Sequence, residues 1–410
     1  MVTPDALDVY LYGTHVAVVT RSGSTRLPGR PVWSWTASAA DRWGLGARVV
    51  SHSLPVQAPG ERPPEARVAS FVDGLLPEGE LRTRRASELG IDPDDTYALW
   101  HRTGLDTAGA LVVTAHGEPL PEPAGVPAPI ELADIAVHLT EAGGGRLHGT
   151  LTSISLAGLV PKIGLIRDGA GWAVPAPGQP STWIVKAAHP AGSPVADVVD
   201  TEALCLDLGR RAGVTTVEAE VLDLGDTRAI AVQRYDRVDQ GRLHQEDLAQ
   251  AIGLATADPE RKFQRGRRLP SWRHAAEVVR AGGGALSRLA RLVTFSYLVG
   301  NSDHHAKNTS FVRFADGSVS VAPAYDIAAH LHHPGAHVAA LDLAGKRRFD
   351  ELTLADVADE IASWGVPMEA ARAAVDDVLA DLRRALAEVD RDLHAGVPPA
   401  AWRTLERRVG

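Results

Sequence analysis

The sequence predicts an α+β fold in which β-rich segments come first and helices last. Three observations point there. Short β-prone runs bounded by glycine or proline recur as far as Arg237. From His244 onward apolar residues repeat at three- and four-residue steps, the helical period. Between Glu118 and Pro129 the chain carries five prolines in twelve residues, an extended and poorly packed composition that marks a subdomain boundary. The expected organisation is an N-terminal β subdomain over 1–125, a mixed β unit over 126–236 and a helical unit over 237–410.

The elements follow in order. Val9–Thr20 reads as two strands around Gly13, a hairpin. Val68–Gly90 reads as two helices broken at Pro77. Gly109–Gly117 returns to strand. After the proline-rich segment, "KIGLIR" and "WAVP" flank Asp168-Gly169-Ala170-Gly171, a second hairpin signal, and "STWIVKAAHP" holds a short strand ending on Lys186. "DTEALCLDLGRRAG" reads as a helix with Asp200 as N-cap, Leu204 and Leu208 one turn apart and Gly213 as stop. Strands recur through Val217–Arg237. Ala285–Gly300 is helical, with Leu289, Leu292, Val293 and Tyr297 on one face. Thr353 and Asp356 form a capping-box pattern. A long helix after Pro367 places Ala371, Val375, Val378, Leu382, Leu386 and Val389 on its apolar face.

Composition narrows the function. Of the 410 residues, 45% are hydrophobic and 23% charged, ordinary globular values that predict packed cores rather than disorder. A formal charge of −9 argues against binding nucleic acid by charge alone. The single cysteine, Cys205, excludes an intrachain disulfide and a multi-cysteine zinc site, and its apolar helical setting predicts a buried thiol. The N-terminus shows no signal-peptide pattern and no apolar run reaches bilayer-spanning length, so a cytoplasmic protein without membrane contact is expected.

The densest chemistry lies in "GNSDHHAKNTSF", Gly300–Phe311. Three readings compete for it: a polar helix-to-strand connection, a metal site, and phosphoryl transfer. Histidines recur at His330, His332, His333 and His337, but no pair has the helical spacing and nearby glutamate of a zinc-protease site. Asp303 and Asn308 have the separation of a kinase catalytic loop, in which the aspartate takes the hydroxyl proton and the asparagine holds a metal ion. The pair alone is weak. Downstream, a strand, the turn Asp316-Gly317 and a second strand lead to Asp326, where a kinase places its second metal-binding aspartate. Upstream, "TWIVK" puts Lys186 at the end of a β-branched run, as in V-A-I-K, and Glu202 follows sixteen residues later on a predicted helix. Each member has a bland explanation by itself. Five in the protein-kinase order favour phosphoryl transfer. No G-x-G-x-x-G precedes Lys186; the nearest phosphate-cradle candidate is Ser153–Lys162, "SISLAGLVPK", where Ala157 and Gly158 permit close backbone approach and Lys162 adds charge.

These segments resemble the HipA family of serine/threonine kinase toxins of HipA–HipB toxin–antitoxin systems. "SFVDGLLPEG" and "DTAGALVV" are similar to the family's N-terminal subdomain. "SLAGLVPK" resembles its phosphate loop, and "WIVK", "TEALCLDLGRRAG", "AVQRYDR", "HQEDLAQAIG", "GNSDHHAKN" and "APAYDI" follow in family order. The resemblance implies an α+β, protein-kinase-like bilobal fold, with a β-rich N-terminal lobe, an extra N-terminal β subdomain and a mostly helical C-terminal lobe. It implies ATP and Mg²⁺ as cofactors. Asp303 would be the catalytic base, with His305 and Lys307 as further loop residues, and Asn308 and Asp326 would bind Mg²⁺. Lys186 would hold the phosphates with Glu202 as its partner. Lys162, Ala157 and Gly158 would form the phosphate loop, Gln233 to Tyr235 the adenine hinge, and Ser155 the site of autophosphorylation. Where the family's loop has glutamine this chain has Val160, and Gln233 stands where the hinge often has glutamate.

The implied partners are a HipB-like helix-turn-helix antitoxin, DNA only through that antitoxin complex, and a protein substrate such as an aminoacyl-tRNA synthetase. Two rival readings remain: a catalytically weak HipA-like scaffold acting as co-repressor with a DNA-binding antitoxin, which Val160 favours, and a small-molecule kinase with a similar core. The basic run Arg261–Arg268 reads first as a solvated loop and second as a contact for DNA phosphates or an acidic substrate.

Overall fold

The N-terminal hairpin forms as expected: Ala6–Leu11 pairs antiparallel with Thr14–Arg21 around a two-residue turn, Tyr12-Gly13. Both turn residues have positive φ, 50° and 74°, the condition for a turn that matches strand twist. Tyr12 is held in this strained conformation by its hydroxyl, which donates to the Arg313 carbonyl at 2.5 Å and accepts from the His244 N–H at 2.8 Å. The computed structural model describes residues 3–23, 28–153, 158, 160–190, 192–239, 241–264 and 269–410. The chain divides into two units. The first holds Met1–Ala187, Asp236–Arg261 and Val312–Ser318; the second holds Ala188–Tyr235, Lys262–Phe311 and Val319–Gly410.

In the first unit, one antiparallel sheet has the order Pro31–Trp35, Thr14–Arg21, Ala6–Leu11, Leu111–Ala115. Its apolar face, with Leu7, Val9, Leu11 and Trp33, joins Phe71, Leu76, Tyr97 and Trp100 in one core. Phe71 comes from the helix Glu65–Asp73 and Tyr97 and Trp100 from Thr96–Thr103, while Gly79–Leu89, the second helix of the pair expected to break at Pro77, adds Ala86 to the core. A second antiparallel run has the order Ala128–Ile130, Gly171–Val174, Lys162–Asp168, Trp183–Ala187. The hairpin expected around Asp168–Gly171 forms there, with Gly169 at φ 57°. The proline-rich segment stays irregular until Ala128, where it contributes the edge strand, a position that tolerates Pro129.

The second unit is built mainly on helices, including Val198–Arg211, Leu286–Val299 and Met368–Glu388, with the hairpin Ala219–Asp223 and Arg228–Gln233. Cys205 is fully buried, and burial pushes its thiol pKa well up. The Thr353–Asp356 capping box is present with both reciprocal bonds. Ala371, Val375, Val378 and Leu382 are buried on one face of the long helix, but Leu386 is only half-buried and Val389 lies just past the helix end. Two further expectations are corrected. The Val198–Arg211 helix starts earlier than Asp200: Asp197 is the N-cap residue, and Asp200 is spent in the first turn on an ion pair with Arg228. His244 begins a short strand, His244–Asp247, hydrogen-bonded into a sheet, rather than a helix; its buried ring meets the Val50 carbonyl at 2.7 Å. Among the described residues no helix is long and apolar enough to cross a membrane.

Gly300 ends the Leu286–Val299 helix in the left-handed region, φ 72°, and returns its N–H to the helix's last turn. A Cβ there would lie 2.7 Å from Leu331 Cγ. Gly300→Ala is therefore expected to cost about 2 kcal/mol, from left-handed strain plus overpacking. Urea denaturation would register this as a lowered midpoint; an unchanged midpoint would contradict the stated packing.

Candidate active site

The loop after Gly300 is shaped by short-range hydrogen bonds. The Asn301 side-chain oxygen accepts from the Asp303 N–H at 3.2 Å, and the Asp303 carbonyl accepts from the His305 N–H at 2.8 Å. His304 points inward. Its Nδ1 meets Ser296 Oγ at 2.7 Å, its Nε2 meets Thr309 Oγ1 at 3.1 Å, and Trp272 packs edge-on at 4.9 Å. Burial pushes its pKa down to about 4, so this imidazole is neutral and serves as a brace. Ala306–Asn308 forms a single tight turn.

Asn308 is buried, and its Nδ2 donates to the Asp303 carbonyl at 3.0 Å. That bond orients the amide and leaves Oδ1 as the atom able to take a cation. Asp326 has φ 52°, a left-handed conformation uncommon for a residue with a side chain and typical of strained functional positions. Tyr325, its neighbour, ties this turn to the loop: its hydroxyl donates to the Lys307 carbonyl at 2.8 Å and meets Ser310 Oγ at 2.6 Å. Tyr235 lies against Tyr325 with ring centroids 5.5 Å apart.

The three oxygen-bearing residues Asp303, Asn308 and Asp326 thus belong to one cluster within the second unit. The carboxyl of Asp303 touches solvent, yet protein surrounds it closely enough to impair solvation of its charge. Burial, reinforced by the negative charge of Asp326, raises its pKa to about 6, while the Lys262 ammonium pulls the other way. His305 is buried with its ring edge-on to Phe263 at 5.3 Å, and burial together with the Lys262 charge holds its pKa down. Lys307 is also buried. Gln233 is exposed at the end of its strand, with its N–H committed to the Glu218 carbonyl at 2.8 Å. Glu202 is buried in the second turn of the Val198–Arg211 helix, not in the first as the sequence suggested.

In the first unit, Lys162 and Lys186 are direct cross-strand partners, so their side chains share one face of the sheet. Gly158, at φ 116°, sits so close to Lys162 that a Cβ would be 2.6 Å from Nζ. Its carbonyl accepts from the Glu78 N–H at 3.3 Å, which ties the loop to the segment after Pro77. Ser155 and Ala157 lie outside the described residues.

Two residues escaped the sequence reading. Lys262 was absorbed into the basic run, but it is buried and its charge acts on Asp303 and His305; the rest of that run, from Arg265, lies outside the described residues. Tyr325 had one available signal, its place beside Asp326. Within the second unit, Asn308 Oδ1 and the Asp326 carboxylate are oxygen donors of the kind a hard cation such as Mg²⁺ takes.

A model described as the HipA-like C-terminal domain matches residues 154–386, and one described as the HipA N-terminal domain matches residues 7–114. The chain belongs to the HipA family. Among its relatives, "Putative kinase Y4mE" of Sinorhizobium fredii is 31% identical over 301 residues, 70% of this chain and 69% of that protein. "Putative kinase Y4dM" of the same organism is 26% identical over 373 residues, covering 86% and 84%. The serine/threonine-protein kinase toxin HipA of Shewanella oneidensis is 27% identical over 306 residues, 70% of this chain and 67% of the toxin. A chain of the Shewanella oneidensis MR-1 complex of HipA, HipB and operator DNA superposes with a TM-score of 0.78 at 20% identity, over 98% of this chain and 96% of that one. The α+β, kinase-like fold class expected from the sequence is the one observed.

The Asp303 environment makes a measurable statement about this HipA-family chain. In metal-free protein, carboxyl-carbon NMR should place the Asp303 titration near pH 6. Lys262→Met removes a positive charge that favours the carboxylate, so the titration should move to higher pH. A titration in the usual carboxylate range would contradict the assigned environment.

Proposed function

We propose that this chain is an ATP- and Mg²⁺-dependent serine/threonine protein kinase that acts as a HipA-like toxin. What carries the reading is the set Asp303, Asn308 and Asp326, held together by the Asn308–Asp303 hydrogen bond and the Tyr325 tether in a member of the HipA family. Asp303 accepts and orients the proton of a substrate hydroxyl; a carboxyl near pH 6 in its affinity for protons is well matched to that task at neutral pH. Asn308 Oδ1 and the Asp326 carboxylate hold Mg²⁺, which when bound offsets charge on the phosphates being transferred. Lys186 and Lys162 bind phosphate oxygens, and Gly158 lets backbone approach them. His304 keeps the loop rigid from behind.

The protein's partner, on this reading, is a HipB-like helix-turn-helix antitoxin, with DNA bound through that complex; support comes from the HipA–HipB–operator DNA assembly whose fold this chain shares. The substrate class is a translation component such as an aminoacyl-tRNA synthetase, in the cytoplasm, and Ser155 is the candidate for autophosphorylation. The non-catalytic co-repressor is the second reading, favoured by Val160 in the phosphate loop.

One experiment separates the two. Purified chain is incubated with radiolabelled ATP and Mg²⁺, and phosphoproteomics follows its controlled expression. Asp303→Ala should lower transfer roughly 10²–10⁴-fold, the range for losing a general base. Transfer at the parent rate by that variant refutes the assignment of Asp303, and no transfer by the parent chain favours the co-repressor. Asn308→Ala should raise the Mg²⁺ concentration needed for half-maximal rate.

A further inference from the structure

We propose that Asp197, His332 and His333 form a binding site for a divalent transition-metal ion such as Zn²⁺, distinct from the Asn308–Asp326 pair. His332 Nε2 lies 2.7 Å from one carboxylate oxygen of Asp197, and His333 Nε2 lies 2.8 Å from the other. The two imidazole rings lie close together, tilted at 48° with centroids 3.9 Å apart. One ligand atom from each of the three residues lies within 4.8 Å of the others. Zinc bonds of about 2.0–2.1 Å in a tetrahedron hold ligand atoms about 3.3 Å apart, so the imidazole–carboxylate separations must widen by roughly half an ångström while separations toward the 4.8 Å limit close in, side-chain adjustments rather than backbone ones. Two imidazoles and one carboxylate, with a water at the fourth position, is a common transition-metal set, and nitrogen ligands select it over Mg²⁺.

Several features set these residues apart from ordinary surface pairs. The histidine side chains are 6% and 5% exposed and Asp197 is 21% exposed, which leaves one path for an ion to enter. Asp197 occupies a helix N-cap, but its carboxylate makes no capping bond and is turned to the histidines instead. Burial holds the His332 pKa down, so its ring is neutral at neutral pH. Burial opposes the Asp197 charge, yet the hydrogen bonds from His332 and His333 carry its pKa below the usual value. Neutral imidazole and carboxylate are the ligating forms. The Nδ1 atoms of both rings are buried without a hydrogen-bond partner, and so is that of His330, whose ring centroid is 6.1 Å from that of His333. Lacking the outer hydrogen bonds that strengthen imidazole ligands, the site should bind less tightly than a four-ligand structural zinc centre. Asp197 leads into the helix that carries Glu202, and the histidines follow Asp326 in the chain. A bound ion would clip the segment after Asp326 to that helix within the second unit. The sequence could not reveal it, because Asp197 and His332 are 135 residues apart.

The test uses full-length chain stripped with a chelator, dialysed, and titrated with Zn²⁺ by calorimetry in excess Mg²⁺. Co²⁺ is then added in its place and read by visible absorption. The expected result is one Zn²⁺ per chain and the intense bands of a four-coordinate Co²⁺ site. Asp197→Asn and His332→Gln should each weaken binding at least about 100-fold, more than the loss of an outer-shell partner costs, while Asp326→Asn leaves it in place. The proposal is overturned by the absence of stoichiometric binding, by a weak six-coordinate Co²⁺ spectrum, or by equal affinity in variants whose circular dichroism shows them folded. The Co²⁺ spectrum of the parent chain decides the matter if the variants do not fold.

Discussion

Asp303 carries its charge where protein solvates it poorly and within reach of a second carboxylate, Asp326, and the loop after Gly300 is arranged around that constraint. Burial does most to raise the Asp303 pKa, and the negative charge of Asp326 adds to it. The fold does not relax it by moving the groups apart. Asn308 holds the Asp303 backbone, Tyr325 bonds the loop beside Asp326, and Asp326 itself keeps a left-handed conformation. Strain of this kind persists only where the surroundings over-determine it. The counterweight is positive charge, which Lys262 supplies from within the unit.

The first unit shows the complementary problem. Lys162 and Lys186 are opposed across two strands, and the Lys162 ammonium lies so close to Gly158 that it would have to move aside for a side chain there. The tie between Gly158 and Glu78 adds a role for the N-terminal subdomain: it helps hold the loop that carries the glycine.

Histidines illustrate how one residue type takes different roles by environment. His304 is locked between Ser296 and Thr309 and acts as a neutral brace under the loop. His305, its neighbour, packs on Phe263 near the Lys262 charge. His332 and His333 converge on one carboxylate. Counting histidines in the sequence finds all four and separates none of them.

What the sequence determined alone was everything with a short range. The hairpin at Tyr12-Gly13, the break at Pro77, the stop at Gly300 and the capping box at Thr353 each depend on a few adjacent residues with restricted backbone choices, and each is present. The Asp303–Asn308 separation was legible for the same reason. Tertiary structure decided what depends on packing between distant segments. The Asp197 carboxylate turned from its own helix to histidines more than a hundred residues away, and the His244 ring found a carbonyl on Val50. Lys262 was buried rather than solvated because its neighbours in space, not in sequence, carry the charges it answers. Local propensity acts over one turn or one strand; desolvation and charge act across whatever the fold brings near.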